Sequence, residues 1–319
     1  MERVIRPSLP LPPMVRLRDM GEKLAVREIA GTISPSAALG PGDDAAAVRL
    51  GDRFLVASTD MLWEGTHFHP RMSWWQKGWM AAAVNLSDMA AMGAQPIGFL
   101  LAMGLSPELE MDQVRDMVQG AADCCDVHST EYLGGDTKEC PQLVLTGTSL
   151  GLAPLDGLLR RKGARPGDLL MMTGTAGLAA AGLLALEKGI ESPAAVKALF
   201  EPRPRVKEGT LLSSSGAVTS GMDTSDGLSM SLHELGQAGG VGFRVEAVPL
   251  DPEVERIASL AGTDAMDIAL HGGGDYQLLF TVRPEGLGTV LALLGADAAV
   301  IGTCVPGAGN TLKRDGGDE

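Results

Sequence analysis

Glycine occurs at 42 of 319 positions and divides the chain into short apolar runs rather than a few long ones. Apolar runs bounded by turn residues predict strands buried inside a layered α/β fold. FLVAST (54–59), IGFLLAM (97–103), LVLTGTSL (143–150), LLMMT (169–173) and LLFTV (278–282) read as such strands. Helical periodicity falls at 75–92, 111–125, 178–188, 193–200 and 228–238, mostly alternating with them. The length suits two domains of about 150 residues each, and a 45% hydrophobic share gives each a core to bury. No apolar run is long enough to predict a membrane span.

The segment GLAPLDGLLRRKGARPGD (151–168) gathers proline, glycine and charge after a strand, and the domain boundary is placed within it at Pro154. The expected division is a disordered tail over 1–20, an N-terminal domain over 21–154, a C-terminal domain over 155–310 and a frayed end over 311–319. The first of these carries arginine and four prolines but lacks the apolar core and cleavage site of a signal peptide. Forty acidic against 26 basic residues give a formal net charge of −14. A basic surface for nucleic acid or anionic lipid is thereby excluded, and a polyanion would be bound through metal ions or helix N-termini. The cysteines, Cys124, Cys125, Cys140 and Cys304, form no C-x-x-C pair and predict a reduced, cytoplasmic protein without zinc.

Aspartate recurs beside glycine or at strand ends. The instances are Asp43 and Asp44 after Gly42, Asp60 after Ser58 and Thr59, Asp88 after Asn85, Asp136 after Gly134 and Gly135, Asp223 and Asp226 around Ser225, and Asp275 after three glycines. Each alone is ordinary turn chemistry. Together, on separate loops, they can converge as the hard oxygen ligands that Mg²⁺ takes around a polyphosphate. Asp88 is the most telling. It lies within WQKGWMAAAVNLSDMAAMG, otherwise small and apolar, three residues from Asn85 and on the same helix face. A carboxylate buried there needs either a hydrogen-bonding turn or a metal, and the metal is the favoured reading.

Neither G-x-x-x-x-G-K-[ST] nor a strand-flanked G-x-G-x-x-G occurs. TGTAG (173–177) follows a strand and opens a helix, so its N–H groups could cradle a phosphate or simply close a tight turn. Arg161 and Lys162 read as a solvated linker or as positive charge for a phosphate. The tryptophans, Trp63, Trp74, Trp75 and Trp79, cluster with Phe68 and His67. Trp75 and Trp79, four apart, read as helix packing, and His67 as the better ligand contact. No nucleophile paired with a histidine is legible, so covalent catalysis is not expected.

Taken in order, GDDAAAV, STDMLWEGTHF, AAAVNLSDMAAMGAQP, GGDT, RRKGARPGDLLMMTGTAG, PRPRV, MDTSDGL and GGGDYQLLFTV resemble the thiamine-monophosphate kinase family. That family shares a superfamily with aminoimidazole ribonucleotide synthetase, selenophosphate synthetase and a hydrogenase maturation factor. The resemblance implies an N-terminal α/β domain that forms a homodimer through its sheet, and a C-terminal α/β domain that closes over ATP. By position it implies magnesium ligands at Asp44, Thr59, Asp60, Asp88, Asp136, Asp223 and Asp226, with Ser58 beside them. It also implies nucleotide contacts at Gly135, Arg161 and Ser225, and a substrate contact at His67. The family usually reads G-G-E-D-Y-E-L. Gly274 stands here where its first Glu contacts substrate, and Gln277 stands at the second; the family's usual C-terminal ending, with an aromatic contact, is missing.

The implied activity is Mg²⁺-dependent transfer of the ATP γ-phosphoryl to thiamine phosphate, giving thiamine diphosphate. An acceptor phosphate with a second pKa near ~6 is mostly dianionic at neutral pH and needs no general base. The alternatives are a superfamily kinase or synthetase with another acceptor, which Gly274 and the altered ending would fit, or a nucleotide-binding maturation-type protein.

Overall fold

A computed structural model of the protein describes residues 16–32, 39–314 and 317–318. The expected N-terminal tail lies outside the described residues as far as residue 15. Beyond it, Leu17–Met20 forms helix α1 and Glu22–Thr32 forms α2. A five-stranded mixed sheet follows, made of β1 (Ala46–Leu50), β2 (Arg53–Trp63), β3 (Gln95–Leu105), β4 (Tyr132–Glu139) and β5 (Val144–Pro154) in the order β1-β2-β5-β3-β4. Helix α3 (Trp74–Ala91) packs on this sheet, and α4 (Met111–Val127) packs against α3.

Strand alternation decides which side chains meet α3. In β2, Val56, Ser58 and Leu62 are buried on the covered face, whereas Thr59 and Met61 are exposed on the other. Helix α3 opens with a reciprocal cap: the Ser73 hydroxyl accepts the Gln76 N–H, and the Gln76 side chain accepts the Ser73 N–H. Its small residues, Ala81 to Ala83 with Ala90 and Ala91, are all buried.

The second sheet has seven strands, β6 (Leu169–Thr173), β7 (Val218–Asp223), β8 (Val241–Val245), β9 (Leu278–Val282), β10 (Ala298–Pro306), β11 (Asn310–Arg314) and β12 (Gly317–Asp318). Their order is β12-β11-β8-β10-β6-β9-β7. With it go helices α5 (Leu178–Lys188), α6 (Pro193–Phe200), α7 (Val206–Ser215), α8 (Leu228–Gly239), α9 (Pro252–Ala261), α10 (Ala265–His271) and α11 (Leu287–Leu294). Of the end expected to fray over 311–319, residues 311–314 lie in β11, which pairs in parallel with β8 from Asn310 opposite Phe243 to Leu312 opposite Val245; residues 315, 316 and 319 lie outside the described residues. NTLKR is polar because it lies near the sheet's edge, and that composition hid the strand.

The two halves share a core that runs from Leu86 and Phe99 to Leu212 and Phe280. Helix α3 touches both sheets and also α7, so it carries first-half side chains to the second half. Among the described residues no helix is long and apolar enough to cross a membrane.

Candidate active site

At this junction opens a cleft of about 510 Å³ whose wall includes Asp44, Ser58, Thr59, Asp60, Asp88, Arg161 and Ser225. Asp44 comes from the loop before β1, Asp60 from β2, Asp88 from α3, and Ser225 from the loop after β7. The Ser58 hydroxyl donates to Asp88, whose carboxyl also hydrogen-bonds that of Asp60. Asn85, one turn before Asp88, accepts the Asp60 N–H at 3.1 Å and donates to the Ala81 carbonyl at 2.9 Å, fixing β2 against α3. Asp223, buried at the end of β7, accepts the Ser87 hydroxyl at 2.5 Å, the Ser225 hydroxyl at 2.7 Å and the Ser225 N–H at 3.2 Å.

Burial raises the proton affinity of the group, and neighbouring carboxylates add to it at Asp44, Asp60 and Asp88. Burial pushes Asp44 up to about 6, with Arg161 opposing the rise and the charges of Asp223 and Asp43 adding to it. Asp88 stands well above the ordinary carboxylate range, through burial first and then the charges of Asp60, Asp223 and Asp44. Asp60 and Asp223 are also raised by burial, against the hydrogen bonds they accept. Arg161 meets this charge, with Nη2 at 2.9 Å and Nε at 3.3 Å from the two Asp44 oxygens and Nη1 at 2.7 Å from Glu234. Carboxylates repelling one another are costly unless a cation compensates them.

Hard oxygen donors from four segments, with the Ser58 hydroxyl beside them, have the chemistry that Mg²⁺ prefers. Among the described residues, no three His, Cys, Asp or Glu side chains are gathered as a metal cage. The reason is visible in the hydrogen bonds: Asp44 is engaged by Arg161, Asp223 by two serines, and Asp88 by Ser58 and Asp60. The donor set fits the ion, and these partners hold it in a different arrangement.

Other predicted residues fall elsewhere. Thr59 lines the cleft, yet its hydroxyl donates to the Gly147 carbonyl at 2.8 Å. Asp226 is exposed in the loop that holds Ser225. Asp136 is not brought to the cleft within one chain. It pairs in turn with Ala102, Thr146 and Met61, so it stands three strands from β2, about 14 Å at the usual strand spacing. It is exposed, with Lys138 at 3.7 Å. Gly135, its neighbour, serves the sheet, because a Cβ there would fall 1.8 Å from the Leu101 carbonyl oxygen. His67 is exposed near Asp60 and lowers that group's proton affinity. The Trp63 N–H donates to His67 Nδ1 at 3.2 Å, and the Thr66 hydroxyl lies 2.8 Å from the same nitrogen.

The Gly274 N–H donates to the Ser225 carbonyl at 2.9 Å, and its φ of +94° is one that L side chains rarely adopt. The TGTAG turn proves to be closed from within. Asp275 accepts the N–H groups of Gly177 at 2.5 Å and Ala179 at 2.9 Å, so its carboxylate occupies the donors that a phosphate would have used. Trp75 stacks on Trp79 with centroids 5.1 Å apart; Trp75 Nε1 donates to Asp123 and Trp79 Nε1 to the Pro202 carbonyl, the packing role that their spacing suggested.

Three residues of this site escaped sequence reasoning. Ser87 and Glu234 act through partners distant in sequence. Tyr276, half-buried with φ +50°, has its phenol pushed upward by burial and then by the charges of Asp223, Asp60, Asp88 and Asp226, so it faces the same cluster. Only its place in GGGDYQLLFTV marked it.

Comparison with known proteins agrees with this architecture. The pattern of the family described as AIR synthase related protein, N-terminal domain, matches residues 42–153, and that of the corresponding C-terminal domain matches residues 165–315. The chain is thus of the AIR synthase-related class. A thiamine-monophosphate kinase of Methanospirillum hungatei is 40% identical over 245 residues, which is 76% of this chain and 80% of that one. Its counterpart in Escherichia coli strain K12 is 34% identical over 264 residues, 81% of this chain and 80% of that one. A solved structure described as AaThiL complexed with AMPPCP and TMP matches with a TM-score of 0.85 at 29% identity, covering 96% of this chain and 98% of that chain. Within its class, the chain belongs to the thiamine-monophosphate kinase family.

Proposed function

We propose that this protein transfers the γ-phosphoryl group of ATP to thiamine phosphate, giving thiamine diphosphate, with Mg²⁺ held by Asp44, Asp60, Asp88 and Asp223. The observation that carries the reading is the convergence of Asp44, Asp60 and Asp88 on one cleft, with buried Asp223 from the second half close enough to act on Asp44 and Asp88. Relatives named as thiamine-monophosphate kinases, and a neighbour that holds AMPPCP and TMP, support the choice of nucleotide and acceptor. Bound Mg²⁺ would neutralise phosphate charge and keep donor and acceptor in line.

The chain's own residues supply the rest. Ser58, Ser87 and Ser225 orient the carboxylates, Thr59 and Asp226 border them, and Ser225 with Arg161 faces the nucleotide. His67 faces the acceptor, and Gly274 shapes the neighbouring loop through its backbone. A dianionic acceptor needs no general base, which suits a site without a nucleophile–histidine pair. We assign Asp136 to the open face of the first sheet, where exposed Val48, Met61 and Leu133 favour a homodimer, and Gly135 to the close backbone approach to Leu101. Four free cysteines suit a cytoplasmic setting.

The test is ADP release against a panel of phosphate monoesters. Release that depends on both Mg²⁺ and thiamine phosphate is expected. Preference for another ester, or metal-independent release, would overturn the reading.

A further inference from the structure

Arg161 is held between two carboxylates at different depths. Asp44, whose side chain is 2% exposed, takes Nη2 and Nε, while Glu234 on α8, 21% exposed, takes Nη1. The backbone beneath is fixed, because Asp43 accepts the Arg161 N–H at 2.8 Å and the Arg160 guanidinium at 2.9 Å. The guanidinium can therefore pivot while its root stays in place. Asp44 belongs to the crowded group, so its oxygens are those that an entering divalent cation would also seek. The edge spent on Asp44, Nε with Nη2, is a pair of parallel donors able to grip two oxygens of a phosphate.

We propose that Glu234 is a positioning residue that retains Arg161 while a divalent cation displaces it from Asp44. The guanidinium then serves as the internal counter-cation of the metal-free site and becomes a phosphate ligand only after the metal has entered. This rests on the Mg²⁺-dependent reading above. Cation and guanidinium compete for the same oxygens, which sets an order of metal before nucleotide. Glu234 needs only Nη1 for its grip, so the phosphate-binding edge is left open.

The test is Mn²⁺ binding without nucleotide, by calorimetry, on wild type, Arg161→Met, Glu234→Gln and the double variant, with thermal melts alongside. Removing the competitor should tighten Mn²⁺ about tenfold in Arg161→Met while weakening AMPPCP binding, two effects of opposite sign from one change. Glu234→Gln leaves Arg161 to Asp44 alone and should weaken Mn²⁺ several-fold, but by less than about twofold once Arg161 is Met. Equal weakening in both backgrounds would mean that Glu234 acts only by its charge, and would overturn its positioning role. Unchanged or weaker Mn²⁺ binding by Arg161→Met would overturn the exchange. Should that variant melt too early, Arg161→Lys, which cannot span two oxygens, tests the same sign. Mn²⁺ binding by none of the four proteins would overturn the metal reading itself.

Discussion

Asp88 and Asp275 are two aspartates of similar appearance in the sequence, each beside small residues and each pushed up by burial. Their surroundings differ completely. Asp275 faces backbone donors: it takes the N–H groups of Gly177 and Ala179 and so caps α5, whose own N-cap Gly177 has no side chain to do so. Asp88 faces one hydroxyl and three other carboxylates. A carboxylate supplied with donors completes a fold, whereas one set among acceptors is stabilised only by something that enters from outside. The same residue type is therefore structural at one end of the second half and, on the proposed reading, a metal ligand at the junction.

The largest expected effect separates the two by activity. Asp88→Asn should lower turnover at least ~10³-fold, since a metal's several kcal/mol of charge stabilisation depends on it. Its metal-free thermal midpoint should stay level or rise, because a repelling charge is removed. Asp275→Ala should do the reverse, leaving two or more N–H groups without their partner at about 1–3 kcal/mol of stability, with turnover falling only as the folded fraction falls. Steady-state assays paired with melts decide it; equal behaviour of the two variants would dissolve the distinction.

The next effect is on pH. Asp44 has its folded pKa raised to about 6, against about 3.9 in an unfolded chain, so the folded state binds this proton more tightly. The stability it lends is complete below pH ~3.9 and is lost as pH rises through about 6, on the order of 3 kcal/mol in all. Melts of the metal-free protein across this window should slope downward, and Asp44→Asn should flatten the slope. An unchanged slope in that variant would place the titration elsewhere.

The smallest effect concerns the loop next to Asp275. A Cβ at Gly274 meets only Ala179 Cβ, at 3.4 Å, so space is available, but φ is +94°. Gly274→Glu should therefore cost about 1–2 kcal/mol of strain, seen as a lower thermal midpoint, without touching the carboxylates at the junction. A variant as stable as wild type would show that the loop relaxes readily.

How much could be read from the sequence follows the same division between local and distant partners. The strands at 169–173 and 278–282 and the helices at 178–188 and 193–200 have the bounds expected of them, because glycine, proline or serine marks their ends locally. Strand β4 was hidden: YLGGDTKE reads as a turn, and its pairing partner β3 lies on another stretch of chain. Asp44, Asp60, Asp88 and Asp223 stood out because each stands near glycine, at a strand end or inside an apolar helix. Asp275 looked the same, and only the fold reveals that its donors come from 96 and 98 residues away. Glu234 and Ser87 carried no local signal, and Tyr276 only its place in GGGDYQLLFTV, since what matters about each is the residue it faces across the junction.

The most direct test of the contrast between Asp88 and Asp275 is the thermal midpoint of wild type, Asp88→Asn and Asp275→Ala, each with and without Mg²⁺ and AMPPCP. Ligand that binds only the folded state stabilises it by about 2.7 kcal/mol at a hundredfold excess over Kd, and so raises the midpoint. Wild type and Asp275→Ala should both gain such a shift, the latter from a lower starting point, and Asp88→Asn should start at or above wild type and gain little. A full ligand shift in Asp88→Asn, or a lowered starting midpoint there, would contradict the account.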